Sequence, residues 1–430
     1  MPSVRAFNAL RYTAEAGPLQ DLVAPPYDVI GPDEREALAA RNAYNLVNLM
    51  LPRGTRDASA DGNRYDNARK MLAGWMEDGA IAVEDEPSMT VVEERFAVEG
   101  KEMARTGIEI ALQLEPFGTG SIYPHERTLS APRADRLALF RATKCNFSPI
   151  FALVPDEDGE LRAAIRAIAS EEPTASIAGP DDAKRRMWIE RRADAIARVE
   201  KALAGRPAVL ADGHHRYETA LAYRDEITEA GGQPGEAAYM LCHIVPVEDD
   251  GLVVLPTHRI VRSKGSLDPE SFHKRLEEHF ELTGVTREEA IEFARHAPEP
   301  GEIQEFVVSI GTPPELMRAR LRDAALVSDL APNRADAWRS LDVTCLHLLA
   351  IERVLGITSE EVTSGDWVSY SHDAAQAINE AAAIGGVGFV LRPTPAWAVS
   401  AVARSGERMP QKSTYFYPKV AAGFAMRVIG

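Results

Sequence analysis

Three cysteines in 430 residues, at positions 145, 242 and 345, are too few and too scattered for a disulfide framework. None lies close enough to another, or to one of the ten histidines, to make a zinc pair. No apolar run approaches the ~20 residues of a membrane span. The start, Met1-Pro2-Ser3-Val4-Arg5-Ala6-Phe7, lacks the basic segment and apolar stretch of a signal peptide. These absences predict a reduced, cytoplasmic protein with no membrane partner. Basic charge is also in deficit: 48 Lys and Arg against 65 Asp and Glu leave a net charge of −17. Such a balance argues against a surface built to embrace nucleic acid, and leaves room only for local basic pockets. Missing too are G-x-x-x-x-G-K-S/T, the dinucleotide glycine fingerprint and H-E-x-x-H. A common phosphate loop or a zinc hydrolase helix is thereby excluded.

What remains is ordinary globular material, 45% hydrophobic and 26% charged, with length for two or three domains. The pattern predicts an α+β chain in three regions: 1–120, 121–265 and 266–430. In the first, Asn45–Leu49 alternates like a strand, and Tyr65–Asp78 reads as an amphipathic helix stopped by Gly79. Met89–Val98 and Arg105–Leu114 read as strands paired around Glu99-Gly100-Lys101. In the second, Asp135–Thr143 reads as a helix and Pro149–Val154 as a strand. Charged helical sequence fills Glu160–Ser170 and Lys184–Ala204, with a loose link over Glu171–Pro180. Ala238–Val247 is apolar enough for a central strand. Between Asp268 and Leu348 the pattern gives helices around one strand, Phe306–Ile310; a strand at Val387–Leu391 and a helix near Ala396–Ser405 follow.

One stretch organises the rest. Ala208-Val209-Leu210-Ala211 reads as a short buried strand, broken at Asp212-Gly213 and followed by a helix through Tyr217 to Arg224. Gly213 supplies the backbone freedom for a sharp strand-to-helix turn. His214, His215 and Arg216 then fall in the first helical turn, where backbone N–H groups and the positive dipole end favour an anion. Two imidazoles and a guanidinium add donors suited to phosphate oxygens. Asp212 stands beside them, able to orient an imidazole or help hold Mg²⁺. A capped helix start with histidines that bind nothing is the plain alternative. It is disfavoured because His-His-Arg at a positive helix end is costly without an anion.

Two further constellations stand out. His125-Glu126-Arg127 follows an ordered bend at Pro124, and Glu126 could take a proton from a substrate hydroxyl; the alternative is a surface ion pair of small energetic worth. Lys412-Ser413-Thr414 offers an ammonium and two hydroxyls to a carboxylate or phosphate, or else closes a final strand with Lys412 in solvent. Pro256-Thr257-His258-Arg259, after an apolar strand, could add another anion contact or equally be a loop that closes a sheet edge.

The corner D-G-H-H-R-Y after a strand resembles the phosphate-binding corner of the ParB/sulfiredoxin-like fold. Along the chain, Ala24-Pro25-Pro26-Tyr27-Asp28, His125-Glu126-Arg127-Thr128, Leu210–Tyr217, Leu255-Pro256-Thr257-His258-Arg259, Leu341-Asp342-Val343 and Lys412–Lys419 together resemble the bacterial and archaeal DUF1015 family. A more distant similarity is to free L-serine kinases of the same fold. They carry a P-H-E segment, a V-D-G-H-H-R corner, and P-T, G-E and P-K-T-T in that order. Here the order is Pro124-His125-Glu126, Ala211–Arg216, Pro393-Thr394, Gly406-Glu407 and Pro410–Thr414. The chain departs from it where Gln411 splits the Pro-Lys pair, where Tyr415-Phe416 replaces a basic Arg-His, and in an insertion over Phe306–Leu341.

The resemblance implies a ParB/sulfiredoxin-like mixed α/β core with an additional N-terminal α+β region. It also implies a nucleotide-dependent kinase acting on the hydroxyl of free L-serine or a similar amino acid, with ATP or ADP as donor and Mg²⁺. In that scheme Glu126 is the base, and Asp212 and His214 assist the transfer. Asp212, Gly213, His214, His215 and Arg216 hold the nucleotide phosphates, and Asp212 the metal. His258, Arg259, Lys412, Ser413 and Thr414 bind the substrate. A ParB-like nucleotide-binding regulator, associated with DNA and without kinase activity, is the competing expectation. The acidic charge weighs against it.

Overall fold

The computed structural model describes the chain except residues 1–2, 127–129, 180, 182 and 266, and of residues 130–133 the backbone alone. The chain is mixed α/β and makes two compact units. Unit 1 comprises Met1–Pro124, Thr128–Leu252 and Pro418–Gly430; unit 2 comprises His125–Arg127 and Val253–Tyr417.

Unit 1 is built on a nine-stranded sheet. Its strands are β1 (Val4–Arg5), β2 (Met89–Val98), β3 (Lys101–Gln113), β4 (Ile122–Pro124), β5 (Ile150–Val154), β6 (Ala175–Ala178), β7 (Lys184–Glu190), β8 (Ala208–Asp212) and β9 (Tyr239–Pro246). The spatial order is β4-β8-β5-β9-β3-β2-β7-β6, with β1 beside β3. β8 runs parallel to β4 and antiparallel to β5. Ala208, Val209, Leu210 and Ala211 are all buried, as an unbroken apolar run in an inner strand requires. The helices are α1 (Arg64–Glu77), α2 (Ser130–Thr143), α3 (Glu160–Ala169), α4 (Ala193–Leu203) and α5 (His214–Glu229). In α3, Leu161, Ala164, Ile165 and Ile168 form one apolar stripe that joins the sheet core with Val199, Ala202 and Leu203 of α4. A second core joins α1 and α2 to the C-terminal residues Ala422 and Met426.

Unit 2 carries an antiparallel six-stranded sheet of β10 (His258–Val261), β11 (Phe280–Gly284), β12 (Glu305–Ile310), β13 (Glu315–Leu321), β14 (Val368–Ser371) and β15 (Val387–Val390). Their order is β11-β13-β12-β15-β10-β14. Edge-on contacts of Phe280 with Phe306 (5.0 Å) and Phe306 with Phe389 (5.7 Å) centre its core.

Several expectations are corrected. Asn45–Leu49 is not a strand: Val47–Met50 is a helical turn, because the Asn45 Oδ1 accepts the Val47 N–H at 3.0 Å. Lys184–Ala204 is not one helix but β7 followed by α4. Its charges hid the strand: Arg185 is buried against Glu94 (3.0 Å), and Arg186 pairs across the strands with Glu93 (2.8 Å). The link over Glu171–Pro180 contains β6, paired with β7. The stretch from Asp268 holds β11 and β13 beside the expected strand. Residue 120 is no boundary either, since one sheet runs from Val4 to Pro246. Cys145, Cys242 and Cys345 are free and buried. Among the described residues no helix is long and apolar enough to cross a membrane.

Candidate active site

In unit 1 the expected corner forms. β8 opposes β5 with a shift of register, Leu210 facing Ala152 but Asp212 facing Phe151, so that Ala211 is an extra residue at the strand end. A bulge of this kind re-aims the residue after it. Gly213 then takes the left-handed conformation (φ 84°) and caps α5. His214 is buried and His215 half-buried. The Asp212 carboxylate meets Lys419 Nζ at 2.7 Å and Arg216 Nη2 at 3.4 Å. Burial alone would raise its pKa, but the charges of Lys419, Arg216 and His214 hold it well below the usual carboxylate range.

Arg216 does a different job from the one its position suggests. Its guanidinium is buried, bonded to the Pro149 carbonyl and to Ser148 Oγ (3.2 Å), and it pins the turn to the segment before β5. Its Nε has no hydrogen-bond partner among the described residues. Two members of the corner escaped the sequence reading. Lys419 lies 207 residues from its partner, and only its place in the Pro418-Lys419 ending hinted at a role. Tyr27 lies within electrostatic reach: burial raises its phenol, Arg216 and Arg136 oppose this, and Asp28 and Asp212 add to it.

Among the described residues no group of three or more His, Cys, Asp or Glu could hold a metal ion. Asp212 is a single carboxylate already shared by two cations. That suits only an ion held chiefly by substrate phosphates and water, as Mg²⁺ commonly is.

In unit 2, His125 and Glu126 continue from the end of β4. His125 is buried, with its Nε2 2.9 Å from the Thr414 hydroxyl and 3.9 Å from the Glu126 carboxylate; the Glu126 side chain keeps 26% exposure. Arg259 is fully buried and bonded to the carbonyls of Thr257, Gln411 (3.2 Å) and Lys412 (3.1 Å). Burial lowers its pKa to about 10, while Tyr370 and Glu126 pull the other way. Arg259, Thr257, Thr394 and Ser413 line one small cleft. Lys412 is exposed, with φ 53°, and holds Arg259 through its carbonyl. The Ser413 hydroxyl donates to the Pro410 carbonyl. His258 differs from the expectation: it is fully buried, and its Nδ1 accepts the Leu391 N–H at 3.1 Å, which leaves no exposed atom for a substrate. Arg127 and Thr128 lie outside the described residues.

The expected site residues thus gather in two groups, one per unit. Inside unit 1, β4 and β8 pair in parallel with Pro124 opposite Leu210, so both strands end at the same end of the sheet. From that end one chain goes on to His125-Glu126 and the other to Asp212-Gly213.

Among solved structures, the chain is similar to a free serine kinase mutant in complex with ADP, at 13% identity and a TM-score of 0.35, over 72% of this chain and 88% of that one. It is similar to SbnI with a C-terminal truncation from Staphylococcus aureus at 11% and 0.36, over 74% and 87%. A conserved hypothetical protein from Pyrococcus furiosus matches at 14% and 0.31, over 71% and 91%. At such identities and scores the likeness assigns no function. No curated protein sequence matches. Residues 4–344 match the family model described as protein of unknown function (DUF1015), and the chain belongs to that family.

Proposed function

We propose that this protein is a nucleotide-dependent small-molecule kinase that phosphorylates the hydroxyl of free L-serine or a similar amino acid. One observation carries the reading: the parallel register of β4 and β8, which sets Pro124, the residue before His125-Glu126, opposite Leu210, two residues before Asp212. Ligands of open α/β sheets gather outside such carboxyl ends.

In this reading the start of α5, with His214 and His215, holds the phosphates. The acceptor hydroxyl attacks the terminal phosphorus while Glu126 takes its proton. The bond from that phosphorus to the bridging oxygen breaks, and the nucleotide leaves one phosphate shorter. Phosphoryl transfer needs positioning and charge neutralisation more than covalent help. Lys419 and Arg216 keep Asp212 ionised, and Asp212 is the residue that would hold Mg²⁺, which neutralises phosphate charge when bound. His125, fixed by Thr414, sets the Glu126 carboxylate. Arg259, with Ser413 and Thr257, supplies the charge for the amino acid's carboxylate.

The test is incubation with Mg²⁺, a nucleotide panel and L-serine, followed by phosphorus NMR. A phosphoserine signal is expected from wild type and none from Glu126→Gln, which should bind nucleotide as wild type does. Equal turnover by Glu126→Gln would remove Glu126 from the mechanism.

A further inference from the structure

Beside the corner, inside unit 1, lies a small cleft that the scheme above does not use. Its walls come from six separate stretches of chain, one of them the start of α5. Tyr27 and Met50 belong to the first third, Leu139 and Phe140 to the end of α2, Phe147 to the segment before β5, and Met240 to β9. Three aromatic rings and two thioethers thus stand in the wall, side chains against which a heteroaromatic ring packs. Arg136 sets one side: it bonds the Met50 carbonyl at 2.7 Å and lies 4.5 Å over the Tyr27 ring.

Among the polar groups along this cleft, two are unfinished. Asn146 is 3% exposed; its Oδ1 accepts the Leu241 N–H at 3.1 Å, while its Nδ2 has no partner among the described residues. Arg216, 8% exposed, leaves its Nε in the same condition. A buried donor without an acceptor is costly, and a ligand acceptor in the cleft would complete both. Both are donors only. The missing ligand is thus an aromatic ring system that presents acceptors, which describes the ring nitrogens and carbonyls of a nucleobase. Arg216 and Thr219 line the cleft from the first turns of α5, the helix whose start carries the phosphate site.

We infer that this cleft is the base pocket of the nucleotide: the ring stacks among Tyr27, Phe140 and Phe147, and Asn146 Nδ2 donates to a base acceptor. The inference rests on the phosphate assignment above and extends it. It gives the N-terminal third a function, since Tyr27 of the Ala24–Asp28 segment is part of the wall.

Calorimetric titration of the full chain with ADP and with pyrophosphate, in wild type and Thr219→Leu, tests it. Leucine at 219 puts apolar volume into the cleft, and the lost hydroxyl bonds only the His215 carbonyl. Wild type should bind ADP at least tenfold more tightly than pyrophosphate. Thr219→Leu should abolish that advantage and leave pyrophosphate affinity within about threefold. In wild type, ADP but not pyrophosphate should slow amide exchange across 136–148, a readout that needs no variant. Equal affinities for ADP and pyrophosphate, or exchange across 136–148 unmoved by ADP, would overturn the base pocket and leave the phosphate site standing. An ADP advantage that survives in Thr219→Leu would overturn it likewise. Binding of neither ligand would instead bring down the phosphate assignment itself.

Discussion

The Lys419–Asp212 pair offers the sharpest test of how the corner is held. Asp212 keeps 14% of its side-chain exposure and Lys419 17%, and their 2.7 Å contact joins the C-terminal segment to the end of β8. Replacing Lys419 by methionine keeps the length of the side chain and removes its charge. The carboxylate is left with Arg216 at 3.4 Å. Removing one partner of a buried pair costs ~3–5 kcal/mol, and the remaining guanidinium reduces this to about 2 kcal/mol. For a unit of this size that is a fall in Tm of roughly 4–8 °C. The sign with pH follows from the depressed carboxyl. Its stabilisation is present above the unfolded value of ~3.9 and is lost as pH falls through the lower folded value. The gap between wild type and Lys419→Met should therefore be widest near pH 7 and narrow steadily below about pH 4. Thermal melts at both pH values measure it, and a double-mutant cycle with Asp212→Asn should return a coupling of at least ~1.5 kcal/mol. A variant as stable as wild type at pH 7, or a loss equal at both pH values, would refute the argument.

Two other outcomes are expected. Gly213→Ala should destabilise by about 2 kcal/mol and weaken pyrophosphate binding, because the turn needs φ 84° and an added Cβ would stand 3.0 Å from Ile150 Cγ2 and 3.1 Å from Arg216 Cζ. Gly213→Asn, which tolerates that conformation, should cost less in the same melts. Burial pushes the Glu109 carboxyl up to about 8. A raised folded value gives stability that is complete below the unfolded ~4.3 and drains away as pH rises through about 8. Glu109→Gln should therefore melt higher than wild type at pH 8, with the difference closing toward pH 4; wild-type melting that stays flat over that range would contradict this.

What could be read from the residues alone was what short-range geometry decides. The strand-turn-helix at Ala208–Arg216 was legible because each residue type there answers a local need: an apolar run for an inner strand, glycine for a left-handed turn, and donors at a helix start. The hairpin of β2 and β3 and the stripe of α3 were legible for the same reason, as periodicity and turn chemistry act over a few residues. β7 was not, since its arginines become strand residues only when Glu93 and Glu94 stand opposite them. Nor was the real use of the corner's charges. Arg216, placed by its sequence neighbours to meet a phosphate, is drawn inward by the Pro149 carbonyl and Ser148. Lys419, 207 residues from Asp212, supplies the cation that the carboxylate pairs with. His258 sat beside Arg259 in the motif, yet burial and the Leu391 amide, which its Nδ1 accepts, turned it into core. Sequence settles what a segment's own backbone and periodicity can satisfy. Which partner neutralises a buried charge is settled only when distant segments are packed together, because the cost of burying that charge arises there.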